Sequence, residues 1–365
     1  MKVLVTHEMF PPDFGGGGEY VVLRMTSGLI AAGVDARVLT AGLPGITEYE
    51  GVPTARLPMS RYRFNLAVRA IVRHAQDVDL IQTFCYHAAL PSLIAGRLLN
   101  KPVVCYMLAF YRDIWKKASA SPLIGNVRRW WEHFLVTRNY SRIIFPSQNT
   151  LEQALAAGVD PRRALVNCPA IDLDLYGPAP QKEDVVLYSG KLDARKGIYD
   201  FLAVAAALPD VRFRVMGPGP EEETARSRAS ANVEFVPFAR GEPLRKAFAT
   251  ARVFVLPSMG ETFGLAVLEA MASGCAVVSS VPLEFHGAHV RPGDRPAMIR
   301  EVQRLYREPE VTRTMGEANI AMAARFTWSA HIEKLLGVYS DVMQQCGRLS
   351  NLQRIVNPPT SRSVP

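Results

Sequence analysis

Cysteine is scarce in this sequence, and none of its apolar runs is long. The five cysteines stand at positions 85, 105, 168, 275 and 346, an odd number without C-x-x-C spacing, so a disulfide framework is not indicated. No apolar run approaches the ~20 residues that span a bilayer. The first residues, MKVLVTHEMFPP, predict a strand and a Pro-rich turn instead of a signal peptide. We therefore expect a cytoplasmic protein with reduced thiols.

A dinucleotide-binding fingerprint is also missing. The first predicted strand, Lys2–Thr6, is followed by the loop FPPDFGGGGE and by a predicted helix that runs from Tyr20 to Ala32. This is a glycine-rich turn of the phosphate-binding type, but it does not read G-x-G-x-x-G. No acidic residue closes the next strand, where a dinucleotide fold places one for the ribose. The sequence therefore argues against an NAD enzyme.

Length and composition indicate a two-domain globular protein. With 365 residues, 48% apolar and 21% charged, the chain is long enough for two substantial cores. Predicted strands and helices alternate, as in the helix 65–76, the strand 79–83, the helix 86–99 and the strand 102–106. Such alternation predicts a doubly wound parallel α/β sheet. Pro and Gly concentrate in residues 171–180, which we interpret as a linker between domains 1–172 and 173–326.

The net charge is +8, and residues 1–172 hold most of the excess, with 19 Lys and Arg against 13 Asp and Glu. One basic cluster, interleaved with Trp115, Trp130 and Trp131, consists of Arg112, Lys116, Lys117, Arg128 and Arg129. No recognition motif for nucleic acid accompanies this charge. An anionic membrane surface or a phosphate-bearing acceptor fits it better. The alternative is an ordinary solvated basic surface whose tryptophans face the core.

Two glutamates mark the stretch from Val253 to Ser279. An apolar strand and a turn precede Glu261, which thereby lies at the carboxyl end of the strand, where open parallel sheets bind ligands. Glu269 lies about two turns into a predicted helix, among apolar neighbours, where a carboxylate needs a partner. The alternative is one glutamate at a helix cap and one in solvent.

A cationic turn lies 65 residues before Glu261. Arg195, Lys196 and Gly197 follow the apolar strand Val185–Tyr188 and precede a predicted helix. Glycines permit close approach of the backbone, a helix N-terminus offers N–H donors, and two cations neutralise charge, so this turn suits a diphosphate. The alternative is a solvated helix start.

The R-K-G turn, the MGPGP stretch from Met216 and the E-x7-E pair together resemble the retaining nucleotide-sugar glycosyltransferases of family 4, which have the GT-B fold. The resemblance covers most of residues 1–345. It implies two Rossmann-like doubly wound parallel-sheet domains that face a central cleft. The first would be the acceptor-side domain and the second the nucleotide-sugar-binding domain. A C-terminal helix, 327–346, would return to the first domain, followed by a disordered tail, 347–365.

The resemblance also implies roles for individual residues. Arg195 and Lys196 would neutralise the donor diphosphate, Glu261 would hold the donor sugar hydroxyls and act as a catalytic residue, and Glu269 would hold the ribose diol. No metal and no further cofactor is implied. The full set of implied donor-binding residues is Gly16, Gly17, Arg195, Lys196, Glu261, Gly264, Leu265 and Glu269.

The sequence departs from the family pattern in two places. Relatives carry a histidine near the reacting sugar after the strand 102–106, whereas Leu108 stands at about that place here. Asp113 is our candidate for a catalytic proton acceptor in this loop, and pairing with Arg112 is the alternative. The segment from Ser279 to Val290 is also shorter than in relatives, so the choice of donor sugar transfers less well.

We therefore expect retaining transfer of a sugar from a UDP- or GDP-sugar to a hydroxyl of a glycan, a lipid-linked intermediate or a small molecule. The protein would be cytoplasmic, with peripheral association at the inner face of the membrane as a further expectation. A nucleotide-sugar epimerase and a non-catalytic nucleotide-sugar or glycan-binding subunit are the alternatives. The sequence names neither the sugar, nor the base, nor the acceptor.

Overall fold

A computed structural model describes residues 1–13, 16–119 and 121–347 of the chain. The chain divides into two compact units. Unit 1 comprises Met1–Phe110, Trp130–Pro169 and the chain from Trp328 onward, and unit 2 comprises Tyr111–Arg129 and Ala170–Thr327. Residues 111–129, which the sequence analysis assigned to the first domain, thus group with unit 2. The predicted domain limits at residues 172 and 326 stay predictions, and the predicted tail lies outside the described residues from position 348 onward.

Unit 1 is built on one sheet whose apolar strands are buried. Its strands are β1 (Lys2–Thr6), β2 (Asp35–Ala41), β3 (Glu48–Tyr49), β4 (Val52–Leu57), β5 (Leu80–Phe84), β6 (Val103–Tyr106), β7 (Arg142–Phe145) and β8 (Ala164–Val166). Their order is β3-β4-β2-β1-β5-β6-β7-β8, and every pairing is parallel except the hairpin of β3 and β4. Continuous apolar runs such as Val3–Val5 are buried, as parallel strands covered on both faces require.

Unit 2 is built on a second sheet, which is parallel throughout. Its strands are β9 (Glu183–Ser189), β10 (Arg212–Met216), β11 (Val233–Val236), β12 (Ala251–Leu256), β13 (Ala276–Ser279) and β14 (Gly287–His289). Their order is β11-β10-β9-β12-β13-β14. The two sheets confirm the prediction of doubly wound parallel α/β architecture.

Helices connect the strands, as parallel pairing demands. They are α1 (Gly17–Ala31), α2 (Val68–His74), α3 (Ala89–Leu98), α4 (Ile114–Ala118), α5 (Pro122–Val136), α6 (Gln148–Ala156), α7 (Ile198–Ala207), α8 (Glu222–Arg228), α9 (Glu242–Thr250), α10 (Leu265–Ala272), α11 (Arg295–Arg307), α12 (Pro309–Ala323) and α13 (Trp328–Gln345). Side-chain caps open several of them: Ser147 Oγ accepts from the backbone N–H of Thr150, and Asp294 does the same for Ala297. The boundary between the units falls within α5, after Arg129.

Some elements differ from the sequence prediction. The predicted helix 65–76 is a 3₁₀ helix at Arg61–Leu66 followed by the shorter α2, because the Asn65 side chain bonds the carbonyl of Tyr62 and competes with regular helix there. The predicted helix 86–99 begins only at Ala89, since Tyr86 adopts a positive φ of 73°. The hairpin of β3 and β4 was not predicted.

Each sheet has one point where the direction of winding reverses. In unit 1 this point lies between β1 and β5, and in unit 2 it lies between β9 and β12. Loops that leave the carboxyl ends of the two central strands diverge there, and open α/β sheets bind ligands in the resulting crevice. The fold thus indicates two pairs of loops as candidate ligand-binding sites, one pair in each unit.

Candidate functional site

The loop that leaves β9 carries the predicted cations in a short, capped turn. Arg195 and Lys196 belong to a 3₁₀ helix, Ala194–Lys196. Asp193 caps this helix, since its Oδ1 accepts a hydrogen bond of 2.9 Å from the backbone N–H of Lys196. The cap satisfies one of the free amides at the start of the turn and fixes where the two cations point.

The loop after β12 packs directly against this turn. The backbone N–H of Met259 donates to the carbonyl of Arg195 over 2.8 Å. Gly197 has a left-handed φ of 78°, and a Cβ at this position would lie 2.2 Å from the carbonyl oxygen of Pro257. Only glycine therefore fits between the loops. The sequence motif R-K-G is thus explained in part by packing, because the third residue lets the two loops meet at the point of reversal.

An ion pair joins the two loops. The Nζ of Lys196 contacts Oε1 of Glu261, and the side chains are only 20% and 11% exposed. Burial lowers the pKa of Lys196, but the charge and hydrogen bond of Glu261 outweigh burial and leave that pKa above its ordinary value. Lys196 therefore stays charged. The two motifs that the sequence analysis treated separately meet here.

Arg195 is held by a different set of neighbours. Its guanidinium lies 3.6 Å from the carboxylate of Asp193 and 4.8 Å from the ring centre of Tyr111, over the ring face. Burial lowers the pKa of Arg195, and the interactions with Tyr111 and Asp193 more than compensate, so that the pKa lies above its ordinary value. Cation–π stacking and an adjacent carboxylate together hold a planar, permanently charged group in one orientation.

Glu269 lies on α10 and has a tyrosine partner. The hydroxyl of Tyr176 donates to its Oε1 over 2.7 Å. Burial raises the pKa of Glu269 to about 7, against the opposing effects of the Tyr176 hydrogen bond and the charge of Arg240. The carboxylate that the sequence analysis expected to need a partner has one, and near neutral pH it is close to its protonation midpoint.

The start of α10 is shaped by Gly264. This residue has a φ of 99°, and a Cβ here would lie 2.3 Å from Cγ1 of Val281. The left-handed residue is the N-cap, and α10 begins immediately after it at Leu265. The first amides of a helix lack intrahelical acceptors, and Gly264 and Leu265 stand at this end of α10; their role in donor binding stays a prediction.

The remaining predicted residues lie elsewhere. Gly16 and Gly17 lie in unit 1, where Gly16 precedes α1 and its N–H donates to the Glu19 carboxylate over 2.8 Å. Asp113 groups with unit 2 but is exposed, and it pairs with Lys116 at 3.3 Å and Arg129 at 3.2 Å. Neither ion pair was predicted. The roles of Gly16, Gly17 and Asp113 stay predictions.

A cavity of about 570 Å³ in unit 1 lies away from all of these residues. Its lining includes Arg142, Asp160 and Arg163, which precede or begin β7 and β8, so it opens at the amino edge of the sheet. Parallel sheets bind ligands at the opposite edge. Within residues 1–13, 16–119 and 121–347, no three His, Cys, Asp or Glu side chains are grouped as metal ligands would be. In the same residues no helix is both long and apolar enough to span a bilayer.

Two family models match this chain, one over each half of the sequence. Residues 15–175 match the model of glycosyltransferase family 4, and residues 183–308 match that of glycosyl transferases group 1. The chain is 30% identical to the D-inositol 3-phosphate glycosyltransferase of Segniliparus rotundus, over 90% of this chain and 85% of that protein. It is 28% identical to the phosphatidyl-myo-inositol mannosyltransferase of Mycobacterium leprae, over 90% of this chain and 94% of that protein.

The chain belongs to the family 4 glycosyltransferases. Solved structures agree on the fold. Sucrose-phosphate synthase from Thermosynechococcus elongatus superposes with a TM-score of 0.81 at 22% identity, over 94% of this chain and 99% of that one. Anabaena HepE, solved with UDP and glucose, gives a TM-score of 0.77 at 20% identity, over 93% and 100% of the two chains. The glycosyltransferase therefore has the GT-B fold, as the sequence motifs implied.

Three partners in the unit 2 cluster of this glycosyltransferase, which consists of Arg195, Lys196, Glu261 and Glu269, were not predicted. Tyr176 and Arg240 act on Glu269, and Asp193 caps the cationic turn. The cap had a local signal, because aspartate just before a short helix is a common N-cap. Tyr176 lies 93 residues from Glu269, and no local pattern marks it.

Titration of Glu269 should make the stability of unit 2 depend on pH. Its folded pKa of about 7 lies above the ordinary 4.5, so the native state keeps a proton that the unfolded state loses. The contribution of this group to stability is therefore present below about pH 4.5 and falls as pH rises toward 7. The Glu269→Gln variant should lack this fall, so its melting temperature relative to wild type rises across that interval.

A second variant tests how the hydrogen bond from Tyr176 affects the pKa of Glu269. Tyr176→Phe removes the hydrogen bond that favours the charged form, so the midpoint of the pH profile should move upward. Tyr199→Phe is the matched control, because that hydroxyl donates to Glu221, which precedes α8 and is remote from Glu269 in the sequence. Parallel thermal-unfolding profiles for wild type and Glu269→Gln between pH 4.5 and 7.5 would contradict the titration.

Proposed function

We propose that this glycosyltransferase moves a sugar, with retention of configuration, from a UDP- or GDP-sugar to a hydroxyl of an inositol phosphate. The observation that carries the proposal is the pair of half-buried cations, Arg195 and Lys196, fixed at the point of reversal of unit 2. The acceptor class is supported by the names of two relatives, one an inositol 3-phosphate glycosyltransferase and one a phosphatidyl-inositol mannosyltransferase. Free inositol phosphate and the headgroup of phosphatidylinositol both present the hydroxyls of a phosphorylated inositol ring.

The charge at the site suits a diphosphate leaving group. Lys196 is desolvated yet stays cationic, and Arg195 has a planar fork that matches phosphate oxygens. Phosphate charge that develops as the glycosidic bond breaks is best stabilised by groups that are already oriented. In this proposal the two side chains and the N–H donors of Gly264 and Leu265 perform that role, with Gly16 and Gly17 as further donors and without a metal or other cofactor.

The proposed reaction breaks one bond and forms one bond at the anomeric carbon. The bond to the diphosphate oxygen breaks as the acceptor oxygen forms a bond on the same face of the sugar, so configuration is retained. The proton of the acceptor hydroxyl passes to an oxygen of the departing phosphate. This route needs no histidine at position 108, where Leu108 packs near Gly18. Glu261 would position the sugar hydroxyls and Glu269 the ribose diol, while Asp113 stays a candidate proton acceptor.

The UDP-sugar donor has support from related structures, since HepE was solved with UDP-glucose. The alternatives were an epimerase and a non-catalytic binding subunit. Relatives named as glycosyltransferases favour transfer over both. Incubation with donor alone distinguishes them further, because an epimerase would rearrange the sugar without any acceptor.

Neutralising either cation should impair transfer. Lys196→Met and Arg195→Met should each lower kcat/KM on the order of a hundredfold, because each removes a preorganised positive group from the leaving phosphate. Lys191→Met is the control, since Lys191 lies in the same loop but is exposed. Transfer is measured with a panel of UDP- and GDP-hexoses and with inositol monophosphate or phosphatidylinositol vesicles, and thermal unfolding checks that each variant folds.

Two results would overturn the proposal. One is wild-type turnover in both methionine variants, which would remove the cations from the mechanism. The other is a product whose anomeric proton coupling shows inversion relative to the donor. Separate assays with inositol monophosphate and with phosphatidylinositol vesicles identify which acceptor the enzyme uses.

We further propose that the enzyme is cytoplasmic and docks on the inner face of an anionic membrane through residues 111–129. This segment carries five Lys or Arg and one Asp. On the first turns of α5, Leu123, Ile124 and Val127 are 74%, 42% and 59% exposed, and their spacing puts them on one helix face. An exposed apolar face beside Arg128, which stacks on Trp115, is typical of an interfacial helix.

Docking should be measurable by sedimentation with vesicles of phosphatidylcholine and phosphatidylserine. Each basic residue near such a surface contributes about 1 kcal/mol, so Arg128→Ala with Arg129→Ala and Lys116→Ala should abolish most binding at low salt. Rising salt should weaken wild-type binding in the same direction. The side chain of Lys117, also part of the predicted cluster, lies outside the described residues. Wild type that stays in the supernatant at low salt would favour a soluble acceptor.

A further inference from the structure

A second cluster lies at the point of reversal of the sheet in unit 1. There β1 and β5 pair in parallel, with Thr6 opposite Thr83. His7 and Glu8 follow the end of β1, and His87 follows the end of β5, so both chain segments leave the sheet at the same carboxyl edge. This is the edge at which parallel sheets bind ligands. None of these side chains belongs to the unit 2 cluster of Arg195, Lys196, Glu261 and Glu269.

Glu8 is buried without a full set of partners. The residue is 7% exposed, and its Oε2 has no hydrogen-bond partner within the described chain. The ring of His7, the preceding residue, lies 5.4 Å from that of Phe84 at the end of β5, which places Glu8 near the turn after β5. The charge of Glu8 accordingly raises the pKa of His87, against the larger effect of burial. Buried carboxylate oxygens in native proteins are almost always hydrogen-bonded. Glu8 therefore points to a ligand that donates a hydrogen bond.

Asn65 and His87 supply complementary groups. The Nδ2 of Asn65 lies 3.3 Å from the carbonyl oxygen of Tyr62 and 2.8 Å from Nδ1 of His87. A carbonyl only accepts, so Nδ2 is the amide nitrogen and Nδ1 of His87 is an acceptor. Nε2 of His87 then carries the hydrogen. The Oδ1 of Asn65 is buried and, like Oε2 of Glu8, finds no partner among the described residues.

The charges around His87 keep its ring neutral near pH 7. Burial lowers the pKa of His87, Arg61 and His7 lower it further, and Glu8 opposes them, with a net shift below the ordinary value. A neutral ring with hydrogen on Nε2 offers one N–H donor. The cluster as a whole therefore presents two unfilled oxygen acceptors and one nitrogen donor.

The backbone at this turn is also in an uncommon conformation. Tyr86, between Cys85 and His87, has a φ of 73°, which side chains other than glycine rarely adopt. Its hydroxyl donates to Oε1 of the buried Glu132 over 2.9 Å, and this bond holds the turn. Conformations of this kind cluster where a chain must present groups to a ligand.

We propose that Glu8, Asn65 and His87 bind the hydroxyl groups of a polyhydroxylated ring, and that this ring is the acceptor of the transfer reaction. Neighbouring ring hydroxyls donate to Oε2 of Glu8 and Oδ1 of Asn65 and accept from Nε2 of His87. The identity of the ring as acceptor rests on the proposed function, whereas its binding to unit 1 does not. The ligand class is an inositol, either free, as a monophosphate or in a lipid headgroup.

The test titrates myo-inositol, inositol 1-phosphate and inorganic phosphate into the protein without any donor, by saturation-transfer NMR and calorimetry. Glu8→Leu and Asn65→Ala should each weaken inositol binding at least tenfold. Because Oε2 of Glu8 has no hydrogen-bond partner in the described part of the chain, Glu8→Leu should keep or raise the melting temperature. Glu152→Leu, at an exposed position on α6, is the control and should bind as wild type does.

Three outcomes would overturn the inference. They are wild-type affinity for inositol in both variants, no inositol binding by the wild type, and binding of inorganic phosphate that falls in the variants as much as inositol binding does. UDP and GDP binding, measured separately, should be unchanged in both variants. A wild type that binds inositol but neither UDP nor GDP would therefore contradict the proposed function while leaving the ring site intact.

Discussion

The ion pair between Lys196 and Glu261 is the interaction on which the candidate site in unit 2 depends. It joins the loops after β9 and β12, the two strands from which unit 2 winds in opposite directions. Desolvation alone would push Lys196 toward its neutral form, and Glu261 prevents this. The pair can form only because Gly197 lets the two loops approach. A positive charge is thereby held, largely shielded from water, at the edge of the sheet where open α/β folds bind ligands.

The two units prepare their polar groups differently. In unit 2, Lys196, Arg195 and Glu269 already have protein partners, which fixes their orientation before substrate arrives. A substrate must exchange with these partners or share them. In unit 1, Glu8 and Asn65 keep buried oxygens that find no hydrogen-bond partner within residues 1–13, 16–119 and 121–347. Preorganised charge suits a reaction whose main demand is stabilisation of a leaving phosphate, whereas unfilled acceptors suit recognition of hydroxyls.

Much of the fold could be predicted from the sequence, because apolar runs and glycines report on local structure. The strand before Arg195 and the loop position of Glu261 follow from such patterns alone. The hydrogen-bond and ion-pair partners of the polar side chains could not be predicted, because they lie far apart in the chain. Glu269 pairs with Tyr176 across 93 positions, and Asp113 pairs with Arg129 instead of its neighbour Arg112. The helix expected at 65–76 failed for a local reason, since the Asn65 side chain bonds the carbonyl of Tyr62.

The affinity of the Glu261→Gln variant for UDP and UMP, measured by calorimetry, tests most directly the claim that Glu261 holds Lys196 ready for a diphosphate. Without the carboxylate charge, burial lowers the pKa of Lys196 and the amine loses the partner that keeps it charged, so the account predicts severalfold weaker UDP binding with little change for UMP. Sugar transfer should fall in the same variant, since in the proposed function Glu261 positions the donor hydroxyls. UDP binding that tightens or stays unchanged while UMP binding is retained would contradict the account.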